Sequence, residues 1–497
     1  MSIKDRTDSV WETIGLPLFT EIKGDARTEV CVIGGGLSGL SIAYELAKRG
    51  KSVTLLESFR LGSGQSGRTT AHLSCQLEEE FSELIKMHDL HTIRKFLEGH
   101  RSAIDTIASI VDMEDILCDF KRVDGYLFEG ETTSENFLTR EHDAGKKCGI
   151  FLDPVFKTPL LKEKRPGLRF ASQAQFHPMK YMRGLTECLI DLGVIIHENT
   201  RVTEIENPTP ALSCIKTEHN FDIQADFVVV ATDTPINTRF PIHTKQHAYR
   251  TYAIALELER EVENVLLWDT EEPYHYVRVQ EHKLIVGGED HRTGQMPDED
   301  PFTKLENWTR RNFDFVGAVT EKWSGQVYEP SDVIGYIGKS PGVEKNITIA
   351  TGYSGIGMTS AIIASQIIPN LIENRFHPLA EIYDPKRPPL RNMTEFVKEN
   401  VNAVYQYTDW LTKSDVKNED EIPEDSGCLI RHRLTKNCVY HEKGNNFERK
   451  SAVCTHLGGL VHWNDIEKTW DCPAHGSRFN THGTPIEGPA MSELPEP

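Results

Sequence analysis

The chain has 497 residues, too many for a single hydrophobic core, so two to four domains are expected. Its formal charge of −20 argues against a nucleic acid or an anionic membrane surface as partner. It has neither a stretch apolar enough to span a bilayer nor the apolar segment of a signal peptide near its N-terminus. We therefore expect a cytoplasmic protein with reduced thiols outside any metal site.

The first predicted elements form a strand, a glycine turn, a helix and a second strand. The first strand covers 30–33, the helix ends near Gly50, and the second strand, 53–56, ends at Glu57. The turn has G-x-G-x-x-G spacing, with Gly34, Gly36 and Gly39. Glycines let the backbone approach a pyrophosphate, and an acid about 20 residues further on can bind a ribose hydroxyl. The pattern predicts one dinucleotide site but leaves open whether FAD or NAD fills it.

Later segments predict more strands and helices of the same kind. Residues 86–150 are charged and helical in pattern, and 193–206 predict two short strands. Residues 225–236 predict a buried strand, and 246–292 alternate apolar and polar residues as strands do. Residues 347–372 predict a strand, a glycine-rich turn and a helix. The amides of that turn suit an electron-rich ring edge, and tight helix–strand packing is the alternative explanation.

Several quoted stretches together resemble the FAD-dependent amino-acid oxidase and glycine oxidase family, over residues 10 to 385. They are "VIGGGLSGL", "LGSGQSGRTTAHL", "VVVATDTP" and "IGYIGKSPGVEKNITIATGYSGIGMTS". The resemblance implies an α/β, Rossmann-like FAD-binding domain interleaved with an α+β substrate domain on an antiparallel sheet. It assigns residues 1–390 to this oxidoreductase. The FAD-binding segments would be about 25–85, 150–235 and 330–385, and the substrate segments about 86–149 and 236–329.

The same resemblance implies which residues hold FAD. They are Gly34, Gly36, Gly39, Glu57, Ser66, Gly67, Arg68, Thr69, Val202, Gly352, Ser354, Gly355, Gly357 and Met358. Some relatives attach FAD covalently through a histidine after the second strand. Thr69 stands at that place and His72 follows three residues later, so we expect noncovalent FAD.

Candidate substrate residues are an arginine near the flavin and a set in the predicted sheet. Tyr274, Tyr276 and Arg278 alternate in "YHYVR", so they share one strand face and could hold a carboxylate. A solvated strand face is the alternative. Arg68 is the other candidate catalytic residue, and no side-chain base can be named.

The region after residue 385 joins the oxidoreductase to a second module. "PKRPPL" breaks the chain at 385–390, and a connecting helix is predicted within 391–415. The polar, acidic stretch 413–427 has the composition of a linker.

Two short motifs near the C-terminus carry cysteine and histidine together. They are Cys454-x-His456 and Cys472-x-x-His475. Four such ligands could hold a tetrahedral zinc ion. In this chain, however, each loop supplies one cysteine and one histidine, which is the arrangement of a Rieske [2Fe–2S] cluster. In such a cluster two cysteines hold one iron and two histidines hold the other.

The sequence around these ligands resembles Rieske domains over residues 416–497, which implies a small all-β domain. Respiratory Rieske proteins carry one more cysteine in each loop, joined as a disulfide, whereas this chain has Gly459 and Ala474 there. Ser477 is kept as a donor to the cluster, and Phe479 replaces a tyrosine. Fewer donors stabilise the reduced cluster less.

Joining a flavin to a one-electron centre predicts an oxidoreductase that oxidises an amine or amino acid by hydride transfer to FAD. Electrons would then pass through the cluster to a one-electron acceptor, either a protein or a quinone-like molecule. The alternative is an electron-transfer flavoprotein that relays electrons between protein partners without an organic substrate. A redox sensor or binding module is the third hypothesis.

Overall fold

The computed structural model describes most of the chain. The described residues are 7–75, 79–209, 211–236, 241–342, 346–388, 415–416, 418–432, 435–444 and 446–497. The helix predicted within 391–415 and the start of the predicted linker lie outside the described residues, apart from 415. In the described parts no helix is long and apolar enough to cross a membrane.

The first sheet carries the glycine turn and is mainly parallel. With strands and helices numbered in chain order, it contains β1 (Ala26–Ile33), β2 (Val53–Leu56), β7 (Ile195–His197), β8 (Val202–Thr209), β9 (Leu212–Thr217), β10 (Asp222–Val230), β16 (Tyr336–Lys339) and β17 (Ile347–Thr351). The order along the sheet is β16-β17-β10-β1-β2-β7, and β8 and β9 extend from β10. β2 and β17 are buried along their whole length, as expected for strands covered on both faces.

In the described ranges, seven α-helices accompany the two main sheets. They are α1 (Leu37–Lys48), α2 (Phe81–Met87), α3 (Leu90–Met113), α4 (Phe137–Cys148), α5 (Pro178–Asp191), α6 (Pro301–Asn312) and α7 (Gly357–Ile372). α1 and α7 pack against each other in the largest hydrophobic core. Both begin at glycine-rich turns, so their N-termini lie at the carboxyl ends of β1 and β17.

The second sheet is mainly antiparallel. It contains β3 (His72–Leu73), β4 (Lys121–Phe128), β5 (Leu152–Val155), β6 (Gly167–Gln175), β11 (Gln246–Leu258), β12 (Leu266–Asp269), β13 (His275–Gln280), β14 (Lys283–Arg292) and β15 (Val316–Pro330). Its order is β15-β11-β14-β13-β12-β4-β6-β3, with β5 beside β6. Its far face packs on α6 in a separate core.

One expected segment boundary differs from the structure. Residues 150–175 were assigned to the FAD-binding part, but β5 and β6 belong to the second sheet, where β6 pairs with β4 over its whole length. The physical reason is that β6 carries polar residues and an exposed pair, Ala171 and Ser172, and so lacks the fully apolar, fully buried sequence of a central parallel strand.

The C-terminal module is a small all-β domain. A three-stranded sheet contains β18 (Ser426–His432), β19 (Thr435–Glu442) and β20 (Asn446–Ser451). A four-stranded sheet contains β21 (His462–Asn464), β22 (Thr469–Asp471), β23 (Arg478–Phe479) and β24 (Pro485–Glu487). Trp470 and Phe479 are fully buried between them. The predicted fold class of an α/β sheet, an antiparallel sheet and a small all-β domain is confirmed.

Candidate flavin and cluster sites

Two similar loops bring the C-terminal cysteines and histidines together. Cys454 and His456 lie between β20 and β21, where the Cys454 amide donates to the Gly459 carbonyl at 2.8 Å. Cys472 and His475 lie between β22 and β23. There the Cys472 amide makes the equivalent bond, to the Ser477 carbonyl at 2.8 Å. Backbone hydrogen bonds across each loop base thus fix both pairs.

The chemistry of this donor set suits two irons. The hydrogen bond between the two cysteines lowers the pKa of Cys454 to about 7 and raises the pKa of Cys472, so that Cys454 gives up its proton first. Burial lowers the pKa of His456 to about 3 and that of His475 to about 4, which leaves both imidazoles neutral. Both ring nitrogens of His456 are buried without a hydrogen-bond partner. Coordination of a metal by one of these nitrogens would give that buried atom a partner.

The spacing of the four side chains also discriminates between metals. Tetrahedral zinc with bonds of about 2.0–2.3 Å would bring all four ligand atoms to within about 4 Å of one another. Of these four described side chains, no three ligand atoms lie within 4.8 Å of one another. The His456 and His475 ring centroids are 5.0 Å apart. A thiolate pair and an imidazole pair held apart fit a two-iron cluster better than one zinc ion.

The positions that replace the respiratory disulfide are indeed adjacent. A Cβ added at Gly459 would lie 3.0 Å from the Cβ of Ala474, nearer than the roughly 3.5–4.5 Å found across a disulfide. The Ser477 hydroxyl is fully buried, accepts a bond from the Ala490 amide at 3.0 Å and hydrogen-bonds Cys454. Ser477 therefore contacts the proposed ligand sphere through a cysteine sulfur.

A large cavity runs along the carboxyl ends of the first sheet. Most predicted cofactor residues line it: Gly34, Gly36, Glu57, Ser66, Arg68, Thr69, Val202, Ser354, Gly355, Gly357 and Met358. The N-terminal ends of α1 and α7 both open onto it. An elongated cavity with two helix N-termini and a glycine turn fits a dinucleotide with a pyrophosphate.

Glu57 is held in place by the glycine turn itself. Its Oε2 accepts from the Gly35 amide at 2.7 Å, and its Oε1 accepts from the Phe59 amide at 2.8 Å. Burial raises the pKa of this carboxyl, while these two amides oppose the rise. The carboxylate could accept a ribose hydroxyl at the end of β2.

Three predicted cofactor residues support the cavity without lining it. A Cβ at Gly39 would lie 1.8 Å from the Gly34 carbonyl oxygen, and one at Gly67 would lie 2.4 Å from the Gly62 oxygen. Gly352 has φ +71° and stands against Gln246 and Pro330. These glycines permit close backbone packing that shapes the walls.

An aromatic wall forms the end of the cavity on the second sheet. Tyr274 and Tyr276, which the alternation predicted to share a strand face, line it together with Trp268 and His72. The two tyrosine rings are 5.5 Å apart, and the Tyr276 hydroxyl bonds the Thr251 hydroxyl at 2.7 Å. Burial, and secondarily Arg278, lowers the pKa of His72 to about 3, so this imidazole is neutral.

The structure places Arg278 away from the cavity, contrary to its expected role. Its guanidinium is fully buried and donates to the carbonyls of Ala71 at 2.7 Å and Phe176 at 3.1 Å, and Trp11 covers it at 5.4 Å. Arg278 lies on the same strand face as Tyr276, but its guanidinium donates to the carbonyls of the loop at residues 70–71, which covers it. Its physical role is to tie that loop to the sheet.

Arg68 lines the cavity, yet its guanidinium is bound elsewhere. It donates to the Ser324 carbonyl and to the Thr7 hydroxyl, the latter at 2.9 Å, and lies 3.7 Å from Glu467 in the C-terminal domain. Arg68 therefore contacts the domain boundary, and its proposed catalytic role gains no support.

The C-terminal domain closes one side of the flavin cavity. Ile486, Glu487, Gly488, Ala490 and Met491 are among the lining residues.

A histidine of the oxidoreductase part meets the two proposed histidine ligands at this closure. The His243 ring lies 4.6 Å from that of His456 and 6.2 Å from that of His475, centroid to centroid. His243 is 5% exposed and its Nε2 has no hydrogen-bond partner. The histidine side of the cluster site therefore faces the oxidoreductase.

Sequence reasoning missed the residues that depend on long-range packing. These cavity or boundary residues are Thr251, Trp268, Asp290, Gln326, Tyr328, Tyr353, His243 and Glu487. Only Tyr353 had a local signal, because it stands inside the predicted glycine-rich turn, where its hydroxyl bonds Ser38 at 3.0 Å.

A flavin-type fold and a two-iron module in one chain define a class of redox protein, and comparisons with known proteins agree. The family profile "FAD dependent oxidoreductase" (DAO) matches residues 29–371, and that of the "Rieske [2Fe-2S] domain" matches residues 412–497. The chain thus belongs to the DAO family of FAD-dependent oxidoreductases and carries a C-terminal Rieske domain. It binds FAD and one [2Fe–2S] cluster.

Individual proteins resemble the whole chain or its first part. The chain is 30% identical to the "Putative Rieske 2Fe-2S iron-sulfur protein YhfW" of Bacillus subtilis, over 99% of this chain and 97% of that protein. It is 23% identical to the "Gamma-glutamylputrescine oxidoreductase" of Escherichia coli, over 71% of this chain and 85% of that protein. The glycine oxidase structure from Geobacillus kaustophilus superposes with a TM-score of 0.62 at 16% identity, over 73% of this chain and 99% of that one. This last likeness shows the fold.

Proposed function

We propose that the protein oxidises the C–N bond of an amine or amino acid and passes the electrons through its Rieske cluster to an external one-electron acceptor. In this scheme FAD takes a hydride, and the cluster, held by Cys454, Cys472, His456 and His475, carries one electron at a time. The cavity residues around Gly34, Glu57 and the α7 turn would hold the FAD.

The observation that carries this proposal is the contact between the two sites. Residues 486–491 of the Rieske domain line the same cavity as the glycine turn. His456 packs edge-on against His243 of the oxidoreductase part, with an interplanar angle of 75°. Electrons leaving that cavity therefore have a short route to the cluster.

The aromatic end of the cavity supports an organic substrate over the alternative of relay between proteins alone. Trp268, Tyr274 and Tyr276 offer flat apolar and hydroxyl surface, and Asp290 and Gln326 add polar groups. A few polar groups in an aromatic pocket are typical of small-molecule sites. The relatives' names, glycine oxidase and gamma-glutamylputrescine oxidoreductase, point to C–N bonds.

The acceptor is proposed to be a protein or a quinone-like molecule, and the location the cytoplasm. The ten cysteines are all unpaired in the structure, which agrees with a reducing compartment.

The test compares Cys454→Ser with the wild type under anaerobic conditions, with Cys428→Ser as matched control because Cys428 is a half-buried Rieske cysteine outside the ligand set. A panel of amines and amino acids is first screened for bleaching of the flavin. With an active compound, Cys454→Ser should bleach at near the wild-type rate, whereas reduction of a one-electron acceptor should fall steeply. The control should keep both rates.

Two outcomes would contradict the proposal. Acceptor reduction that survives loss of the cluster would remove the cluster from the outlet. A flavin that no amine or amino acid bleaches, but that a reduced carrier protein does, would favour the relay between proteins.

A further inference from the structure

Six buried charged side chains meet where the Rieske domain contacts the oxidoreductase part. We call them the interdomain ion cluster: Arg68, Arg250, Glu467, Asp471, Arg478 and Glu487. Each of these side chains is at most 8% exposed. The first two belong to the oxidoreductase and the other four to the Rieske domain.

Glu467 stands at the centre of this group. Its Oε2 lies 3.4 Å from Arg250, 3.7 Å from Arg68 and 3.7 Å from Arg478. Its Oε1 accepts from the Thr7 hydroxyl at 3.0 Å. Burial alone would raise the pKa of Glu467, but the three guanidinium groups hold it below its usual range. The carboxylate is thus charged and shared between the two domains.

The charges balance only when the domains are together. The oxidoreductase brings two cations to the cluster, and the Rieske domain brings three anions and one cation. Among these six side chains, the oxidoreductase side alone has two excess positive charges and the Rieske side two excess negative charges. Of the carboxylates outside the group, the half-exposed Glu12 of the oxidoreductase part also lies 3.8 Å from Arg68. Such a group favours one docked arrangement, because any shift leaves buried charges without partners.

Neutral contacts fix the cluster loop at the same boundary. The Gln326 amide donates to the Gly476 carbonyl at 2.9 Å, and the Tyr328 hydroxyl donates to the Gly488 carbonyl at 3.0 Å. A Cβ at Gly476 would lie 2.4 Å from the Cβ of Ala248, so the loop touches β11 directly.

We propose that Glu467 is a positioning residue that keeps the Rieske domain docked on the oxidoreductase throughout turnover. Electrons then cross one fixed contact, at His243, rather than being carried by movement of the domain. This inference rests on the proposed relay between flavin and cluster.

The test uses the full-length holoprotein with the substitution Glu467→Gln. Glu419→Gln is the matched control, since Glu419 forms a partly exposed ion pair with Arg449 inside the Rieske domain. Two measurements are made on each protein. Hydrogen–deuterium exchange follows 471–478 and 485–491, and pulse reduction by photoexcited 5-deazaflavin follows equilibration between flavin and cluster.

For Glu467→Gln we expect faster exchange in both segments and at least tenfold slower equilibration, with the iron content and cluster EPR spectrum of the wild type. Glu467→Asp should restore part of the rate, and Glu419→Gln should change neither measurement. If Glu467→Gln loses its iron, Arg250→Gln, on the other side of the boundary, should give the same two effects with the cluster intact.

The positioning role would be overturned if flavin and cluster equilibrate in Glu467→Gln at the wild-type rate. Where Glu467→Gln loses iron, the same result in Arg250→Gln would overturn it. So would unprotected exchange of these segments in the wild type. Wild-type protein whose flavin and cluster never equilibrate would contradict the relay itself. The exchange measurement would then still decide whether Glu467 holds the domains together.

Discussion

Arg478 is expected to be the main electrostatic support of the Rieske domain, and Arg478→Met tests this. Its guanidinium is fully buried, 3.0 Å from Asp471 and 3.1 Å from Glu487, and it donates to the Thr469 hydroxyl at 3.0 Å. Methionine would fill similar volume but leave the carboxylates without that cation. Breaking a buried ion pair in this way costs about 3–5 kcal/mol.

That cost is large for a domain of this size. Since 1 kcal/mol shifts the melting temperature of a small domain by about 4–8 °C, the variant should melt at least about 12 °C below the wild type. Arg449→Met is the control, because Arg449 pairs with Glu419 at a side-chain exposure of 44%, where an ion pair is worth about 1 kcal/mol or less. The assay is thermal bleaching of the cluster, followed by visible circular dichroism.

The pH dependence of the same variant provides a second check. In the wild type the pKa of Glu467 is lowered, so its contribution is present above the ordinary carboxyl pKa and is lost as pH falls through the lowered value. Without Arg478, the pKa of Glu467 should rise, because burial is then opposed by two guanidinium groups instead of three, and protonation would relieve the repulsion. The difference in melting temperature should therefore shrink from pH 8 to pH 5. A difference of only a few degrees at pH 8, or one that grows on acidification, would refute this reasoning.

Three further predictions concern the flavin site, the cluster and the core. Glu57→Gln should weaken FAD binding to the apoprotein by about 10–100-fold, because a hydrogen bond to a charged group is worth about 1.5–3 kcal/mol. Flavin fluorescence measures the affinity, and an unchanged affinity would contradict the role of Glu57. Ser477→Ala should lower the cluster reduction potential in an EPR-monitored titration, since it removes a donor next to Cys454, and an unchanged potential would exclude that donor. Burial lowers the pKa of His100 to about 3, so the unfolded chain takes up its proton first and stability should fall as pH drops below about 6.5. In urea titrations of the apoprotein, the free energy of unfolding of His100→Leu should fall less on acidification than that of the wild type. If the two proteins lose stability equally with pH, His100 is not the cause.

The parts of the fold predicted best from sequence are those set by local pattern. The second strand was predicted at 53–56 and is found there, because three apolar residues and a threonine between a helix end and an acid leave little alternative. The Cys454 and Cys472 loops were predicted because ligand types and spacing are written in the sequence itself. The segment 150–175 was misassigned because its place in the second sheet depends on pairing with β4, about 40 residues earlier.

The substrate end shows where local pattern stops being informative. The alternation of residues 274, 276 and 278 gave the shared strand face, but not the depth at which each side chain lies. Tyr276 reaches the cavity, while Trp11 and the loop at 70–71 bury Arg278. Trp11 is more than 250 positions away in the sequence, so no local periodicity carries that information. The same holds for Arg68, whose partner Glu467 lies in another domain.

A docked Rieske domain places a condition on the outlet for electrons. If His456 stays packed on His243 throughout turnover, an acceptor has to approach the cluster past a part of the ligand loops that this contact leaves exposed. The loop of the first ligand pair offers such an approach, because Leu457, next to His456, is 51% exposed although it is apolar. An exposed apolar side chain beside a redox centre shortens the distance to a partner without requiring the domain to move. Fixed docking and delivery to an external acceptor are therefore compatible, because the first ligand loop keeps an exposed side chain while His456 packs on His243.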